Sequence, residues 1–227
     1  MNSSRDNILK KVREATAVPS QLPDIPDGVN QRLENIFTDA AEQNSAAKRQ
    51  QFQSSLEKVS GEFYYVKNES EASDMIFNII QKEAILKISI SAETSCSSII
   101  SRLKKKDTSL EIIPANRFTE TERKKVLAEI SWALVEASHA IADIGSVAFN
   151  YEESKTTLPE FLAECVITVV NEKNLVANHF EFFKKVTKEQ SKHMVFVTGP
   201  SRTADIEKLL FLGAHGPRRF IVILIKE

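Results

Sequence analysis

From Gly61 to the carboxyl terminus, strand-length apolar runs alternate with helix-length amphipathic ones. That alternation leaves few folds open. Phe63–Val66 reads as a short aromatic strand. Ser70–Gln81 reads as a helix with Met75, Ile76, Ile79 and Ile80 turned inward, at the 3.6-residue period of a helix face. Ala84–Ile90 is apolar on both faces of a strand, the pattern of a parallel sheet covered on each side. Ser95–Leu103 follows as a helix and Leu110–Ile113 as a strand closed by Pro114. Thr119–Ala128 follows as a helix whose Thr119 and Glu122 match a capping box. Further strands are expected over Trp132–Ala137, Val147–Phe149, Cys165–Val170, Met194–Thr198 and Phe220–Ile225. Helices are expected over Leu175–Val186 and Thr203–Leu212, the latter stopped by Gly213. Repeated β-α units predict an α/β fold with a largely parallel sheet and helices on both faces.

The first fifty residues follow a different pattern. Asn7–Ala17 can form a short helix with Ile8, Val12 and Ala15 on one stripe. Pro19, Pro23 and Pro26 then make a linker over 18–28, because proline lacks an N–H and restricts its predecessor. Val29–Val59 is helical in pattern, with a polar stretch from Glu42 to Gln51 that allows a kink or a break. The expected organisation is an amino-terminal helical arm over 1–50 and an α/β domain over 51–227.

Charge and cysteine usage narrow the function classes. Thirty basic side chains face thirty-one acidic ones, for a formal net charge of −1, so no global field exists to hold a nucleic-acid backbone. The basic run Arg102–Lys106 reads as the solvated end of a helix. No apolar stretch reaches the roughly 20 residues that span a bilayer. No signal peptide is visible at the start. Cys96 and Cys165 form neither a CxxC pair nor a cluster-binding run. A cytoplasmic location and no bound metal are the expectations.

Three constellations could carry chemistry. In Gly199–Asp205, glycine lets the backbone approach a ligand, and Ser201 or Thr203 can cap the following helix. Arg202 can hold a carboxylate or phosphate in two-pronged fashion. Ordinary capping explains the same hydroxyls, and Asp205 and Glu207 would oppose a bound anion. In Glu136–Ser146, Glu136 or Asp143 could act as a general base or accept a hydrogen bond from a hydroxyl substrate. His139 between them is read as structural. Third is His215, between Gly213 and Gly216, whose imidazole suits proton transfer. A ten-residue helix over Thr203–Leu212 would hold Arg202 and His215 roughly 15 Å apart, at opposite ends of the sheet.

Walker A, GxGxxG, HExxH and GxSxG patterns are absent. Cys96 lies near a helix start, where a thiol pKa can fall, yet a buried, inert cysteine is the simpler reading.

The segment Gly199-Pro200-Ser201-Arg202-Thr203-Ala204-Asp205-Ile206-Glu207, followed by Gly213-Ala214-His215-Gly216-Pro217, resembles the carboxyl-terminal signature of the LUD-domain family, in its branch of lactate utilisation C proteins. Ala140–Ser146 is similar to a second stretch of that family, and Phe52, Leu56, Val59 and Gly61 to the start of its domain. The resemblance covers roughly Gln50 to the carboxyl terminus. It implies a fold related to the sugar-phosphate isomerase and CoA-transferase group. It also implies a role in oxidising L-lactate to pyruvate, alongside partner proteins that carry iron–sulfur clusters. The chain itself is expected to bind no cofactor. Ile144 stands where the family usually has Thr or Ser, and a histidine of the family is missing after Leu158-Pro159.

The site expected on these grounds has Glu136, Asp143 and His215 as catalytic candidates. Gly145, Ser146, Gly199, Ser201, Arg202, Thr203 and Asp205 are the ligand-binding candidates. Two other readings stay open: a stand-alone enzyme or binder of a small carboxylate or phosphate metabolite, and an interaction module whose arm docks a partner or a second copy.

Overall fold

The computed structural model describes residues 4–16, 44–92, 96–151, 159–186, 193–204, 210–212 and 216–226. The chain divides into two compact units, Met1–Ile36 and Phe37–Glu227. Of the first, helix α1 (Ser4–Thr16) is described, and its Ile8 and Val12 are exposed.

The first described element of the second unit is α2 (Ser45–Lys58), capped by Asn44, whose side chain accepts from the Ala47 N–H. Elements then alternate: β1 (Glu62–Val66), α3 (Glu69–Lys82), β2 (Lys87–Ile90), α4 (Ser97–Lys106) and β3 (Glu111–Pro114). α5 (Glu120–Ala128) and β4 (Trp132–Glu136) follow. The expected capping box at α5 is formed in both directions by Thr119 and Glu122. Next come β5 (His139–Ile141), β6 (Ser146–Tyr151), α6 (Pro159–Leu162), β7 (Cys165–Asn171) and β8 (Leu175–Val176). The described elements end with α7 (His179–Val186), β9 (His193–Val197), β10 (Arg202–Ala204), β11 (Leu210–Leu212) and β12 (Arg219–Ile225).

Six strands form a parallel sheet in the order β1-β12-β7-β4-β2-β3. This is the α/β architecture that the alternating pattern predicts. β12 shows why. Its Ile221, Ile223 and Ile225 pack with Ile76 and Ile80 of α3 and Ile99 and Leu103 of α4. The alternate residues Phe220, Val222 and Leu224 pack with Phe52 and Leu56 of α2. A strand apolar on both sides needs two covers, and it has them.

The second cover is not helices alone. β8, β5, β6 and β9 form a separate four-stranded sheet in that order, with β5–β6 and β6–β9 antiparallel. Ala140, Val147 and Phe149 of that sheet join Phe52, Leu56 and the β12 side chains in one cluster.

Two helix expectations are corrected. Over Leu175–Val186, only His179–Val186 is helical. Leu175–Val176 instead pairs with Ala140–Ile141. The helix starts late because Asn178 caps it, accepting from the Glu181 N–H at 2.9 Å, while the Glu181 carboxylate reaches back to the Ala177 N–H at 2.7 Å. The helix expected over Thr203–Leu212 is replaced at both ends. Arg202–Ala204 pairs antiparallel with Leu210–Leu212, with Thr203 opposite Phe211. A β-branched residue facing an aromatic one suits a strand pair better than a helix start. Without that helix the chain returns on itself, and the Ser201 N–H donates to the Pro217 carbonyl at 2.8 Å. Ser201 and Pro217, on either side of this segment, therefore meet, while His215 lies outside the described residues.

Candidate functional site

The carboxyl ends of parallel strands are where backbone and side chains converge on open space in an α/β sheet. Ligands favour the point where successive connections diverge. Here β2 leads through α4 to β3 on one side, while β4 leads on to β7 on the other. A cavity of about 300 Å3 opens beside that point. Its walls are Glu136 at the end of β4, Val169–Asn171 at the end of β7 and Ile225 at the end of β12. Glu69 at the start of α3 and Cys96–Ile99 at the start of α4 close it.

Each wall follows from local structure. α3 is capped by Asn68, which accepts from the Glu71 N–H at 3.0 Å and leaves Glu69 at the helix's first position. α4 begins at Cys96, whose backbone takes the left-handed conformation at φ 52° and whose thiol makes no cap bond. The amino end of α4 thus brings the hydroxyl residues Ser97 and Ser98 to the cavity without a side-chain cap. Burial pushes the Cys96 thiol up, and the Glu136 and Glu69 carboxylates add to the effect. A thiol so raised stays protonated near neutral pH. Cys96 is buried and forms part of the cavity wall.

Among the described residues, Glu136 is the one catalytic or ligand-binding candidate that lines this cavity. Asp143 lies apart from it, in the turn between β5 and β6, where its N–H donates to the Ala177 carbonyl at 3.0 Å. Partial burial pushes the Asp143 carboxyl up, and His179 nearby works against that. His139 is buried and meets Phe182 edge to face at 5.1 Å, as a structural histidine would. His215 and Asp205 lie outside the described residues. Arg202 and Thr203 belong to β10.

The glycine-and-hydroxyl candidates have packing partners. Gly145, at φ +64°, lies so close to α2 that a Cβ would meet the Leu56 nitrogen. Gly199, at φ +69°, would drive a Cβ into Val59. Buried Ser146 shares a 2.5 Å hydrogen bond with Thr198. Ser55 Oγ donates to the Asp143 carbonyl at 3.1 Å. These contacts tie the β5–β6 turn and the loop after β9 to α2.

Glu69, Ser97, Ser98 and Asn171 are cavity residues that sequence reasoning did not single out. Their shared signal is position: each ends a strand or starts a helix at the carboxyl edge of the parallel sheet. That becomes visible only once strand order is known. Among the described residues no group of His, Cys, Asp and Glu could hold a metal ion. No helix among them is long and apolar enough to cross a membrane.

The LUD domain model matches residues 49–225 of this chain. The chain belongs to the LUD domain family. A Bacillus pumilus protein named lactate utilization protein C is 24% identical over 112 residues, covering 47% of this chain and 47% of that protein. An uncharacterised protein of Neisseria meningitidis serogroup B is 25% identical over 227 residues, covering 98% of this chain and 94% of its own. The LUD chain also resembles the crystal structure of a DUF162 family protein from Deinococcus radiodurans, with a TM-score of 0.61 over 81% of this chain and 99% of that one. At 15% identity the likeness speaks for the fold alone. The LUD match begins inside α2 and ends on β12, so it takes in both sheets and every wall of the cavity.

Proposed function

We propose that this LUD-family chain is a subunit of a system that oxidises L-lactate to pyruvate, working with partner proteins that carry the iron–sulfur clusters. The observation that carries the reading is the family match over 49–225, together with the likeness to a protein named for lactate utilisation. A cytoplasmic location goes with it.

The chemistry of the chain fits a share of that task. Turning a 2-hydroxy acid into a 2-oxo acid removes a pair of electrons and a pair of protons. Two cysteines, one buried beside α4 and one at the start of β7, do not supply the thiolate set of a cluster. The electrons then leave to a partner. What the chain offers is the cavity at the carboxyl edge of its sheet. There Glu136 stands as the acceptor for the substrate hydroxyl proton. The uncapped amino end of α4 favours the substrate carboxylate. Glu69 and Glu136 weigh against a more highly charged anion in the same cavity.

Deletion of the chain should abolish growth on L-lactate but not on pyruvate, and the tagged chain should co-purify with cluster-bearing proteins. Normal growth on lactate after deletion, with no such association, would sink the proposal. The cavity also favours a second reading, a stand-alone binder of a small metabolite. In that case lactate or pyruvate alone should raise the melting temperature of the isolated chain by mass action.

A further inference from the structure

A second cavity, of about 200 Å3, lies on the other side of the turn that follows β7. Asn171 lines the first cavity and Glu172 the second, so the two share a wall. The polar lining of the second is Ser45, Lys48, Glu172, Lys173, Glu181 and Lys185. It therefore sits between the amino end of α2, the short helical turn Glu172–Asn174 and α7.

Both carboxylates here are already answered. Glu181 receives the Lys48 ammonium at 3.1 Å, the Lys185 ammonium at 3.2 Å and the Ala177 N–H at 2.7 Å. Burial alone would raise its carboxyl, but the Ala177 N–H and Lys48 outweigh that and hold it below its ordinary range. Glu172 receives Arg49 at 2.8 Å and the Tyr65 hydroxyl at 2.8 Å, and the Arg49 guanidinium also lies 4.0 Å over the Tyr65 ring. Lys173 pairs with no carboxylate among the described residues.

The charges do not cancel. Among the described residues of the lining, Lys48, Lys173 and Lys185 stand against Glu172 and Glu181, an excess of one positive charge. The setting is partly dry: the Lys48 side chain is 12% exposed and that of Glu181 17%. Lys173, the lining cation with no carboxylate partner among the described residues, is exposed, so it offers an entering anion a solvated ammonium beside the drier Lys48. The first turn of α2 carries no acidic residue to meet that need from within.

We propose that this cavity is a binding site for a small oxyanion, the phosphate or carboxylate group of a metabolite, held by Lys173, Lys185 and Lys48. It is separate from the Glu136 cavity and does not depend on the lactate reading. An occupant would brace the turn that starts directly after Asn171, a wall of that cavity.

The test is calorimetric titration of the full-length chain with inorganic phosphate and, in a second arm, with pyruvate. Saturable binding at one site is expected, with a dissociation constant of about 1 mM or tighter. Phosphate binding that Lys173→Glu weakens identifies a phosphate group as the ligand; pyruvate counts for a carboxylate only through the part of its binding that Lys173→Glu removes, since the Glu136 cavity is also read as taking pyruvate. Lys173→Glu breaks no described ion pair and should weaken binding at least about tenfold, a loss of one decade in affinity. Lys185→Gln should weaken it too, with Glu181 still held by Lys48 and Ala177. Glu136→Gln should leave it unchanged. The proposal is overturned if neither probe saturates, if folded Lys173→Glu and Lys185→Gln variants bind like the parent, or if Glu136→Gln abolishes binding. Loss of growth on lactate plays no part in the outcome, so this test and that of the lactate reading fail separately.

Discussion

A Cβ on Gly145 would lie 2.3 Å from the backbone nitrogen of Leu56. The turn between β5 and β6 thus rests directly on the backbone of α2, and glycine is required there twice over. The residue sits at φ +64°, where an L side chain costs about 1–2 kcal/mol. The overlap with Leu56 falls on main-chain atoms that no rotamer change can move. Gly145→Ala should lower the melting temperature by about 4 °C or more in a chain of this length, read by circular dichroism. Gly216→Ala should cost less, because its Cβ would meet only the Ser201 side chain, at 3.2 Å.

That contact also marks what a sequence can disclose. The parallel sheet was legible because β12 and its neighbours are apolar on both faces, and a two-sided strand has few places to go. The capping box of α5 was legible because its two partners are three residues apart. The second sheet was not, since β5 and β8 are short and their pairing is a long-range fact. Gly145 and Gly199 looked like ligand-loop residues because glycine answers equally to a ligand and to a helix backbone. Glu136 could be chosen for its chemistry, but its cavity companions Glu69 and Asn171 come from distant segments that only strand order joins.

Phe52 anchors α2 from the other direction. It is fully buried and meets Phe63 of β1 edge to face at 5.7 Å. Phe52→Ala removes a large side chain from a cluster shared by both sheets, a change that costs about 3–5 kcal/mol. Urea denaturation should show the midpoint falling with little change in slope.

The amino edge of the large sheet holds a charge cluster that sets acid stability. Arg219 at the start of β12 donates to both oxygens of Glu62 on β1, at 2.5 and 2.9 Å, and to Glu83 at 3.0 Å. The hydrogen bond from Arg219 outweighs burial and holds the Glu62 carboxyl below its ordinary value of 4.5. A carboxyl lowered on folding contributes stability that is fully present above its unfolded value and fades as pH falls through the folded one. The stability difference between the parent and Glu62→Gln should therefore be constant near neutrality and shrink below about pH 4.5. A difference that grows on acidification would contradict the pairing.

Both cysteines should resist alkylation in the folded chain. Burial raises the Cys96 thiol, with Glu136 and Glu69 acting in the same sense. Burial also raises Cys165, against a smaller opposing pull from Arg219. Only the thiolate attacks iodoacetamide, so native protein at pH 7 should label slowly at both positions and unfolded protein quickly. Fast native labelling of Cys96 would reopen it as a nucleophile.

The decisive variant for the first cavity is Glu136→Gln. Glu136 is exposed, ends its strand and makes no hydrogen bond that holds the fold among those described, so the substitution should leave the melting temperature within about 1 °C, as surface changes generally do. The amide keeps the size and polarity of the carboxylate but cannot take up a proton. If Glu136 receives the substrate hydroxyl proton, L-lactate-dependent electron transfer by the assembled system should fall by about 100-fold or more, within the range of a lost general base. Binding of pyruvate to that cavity, which needs no proton acceptor, should survive. Asp143→Asn serves as the contrast: its side chain lies in the β5–β6 turn beside α7 and outside the cavity, so lactate turnover should persist. An unchanged rate in Glu136→Gln together with a loss in Asp143→Asn would move the chemistry from the carboxyl edge of the parallel sheet to the turn resting on α2.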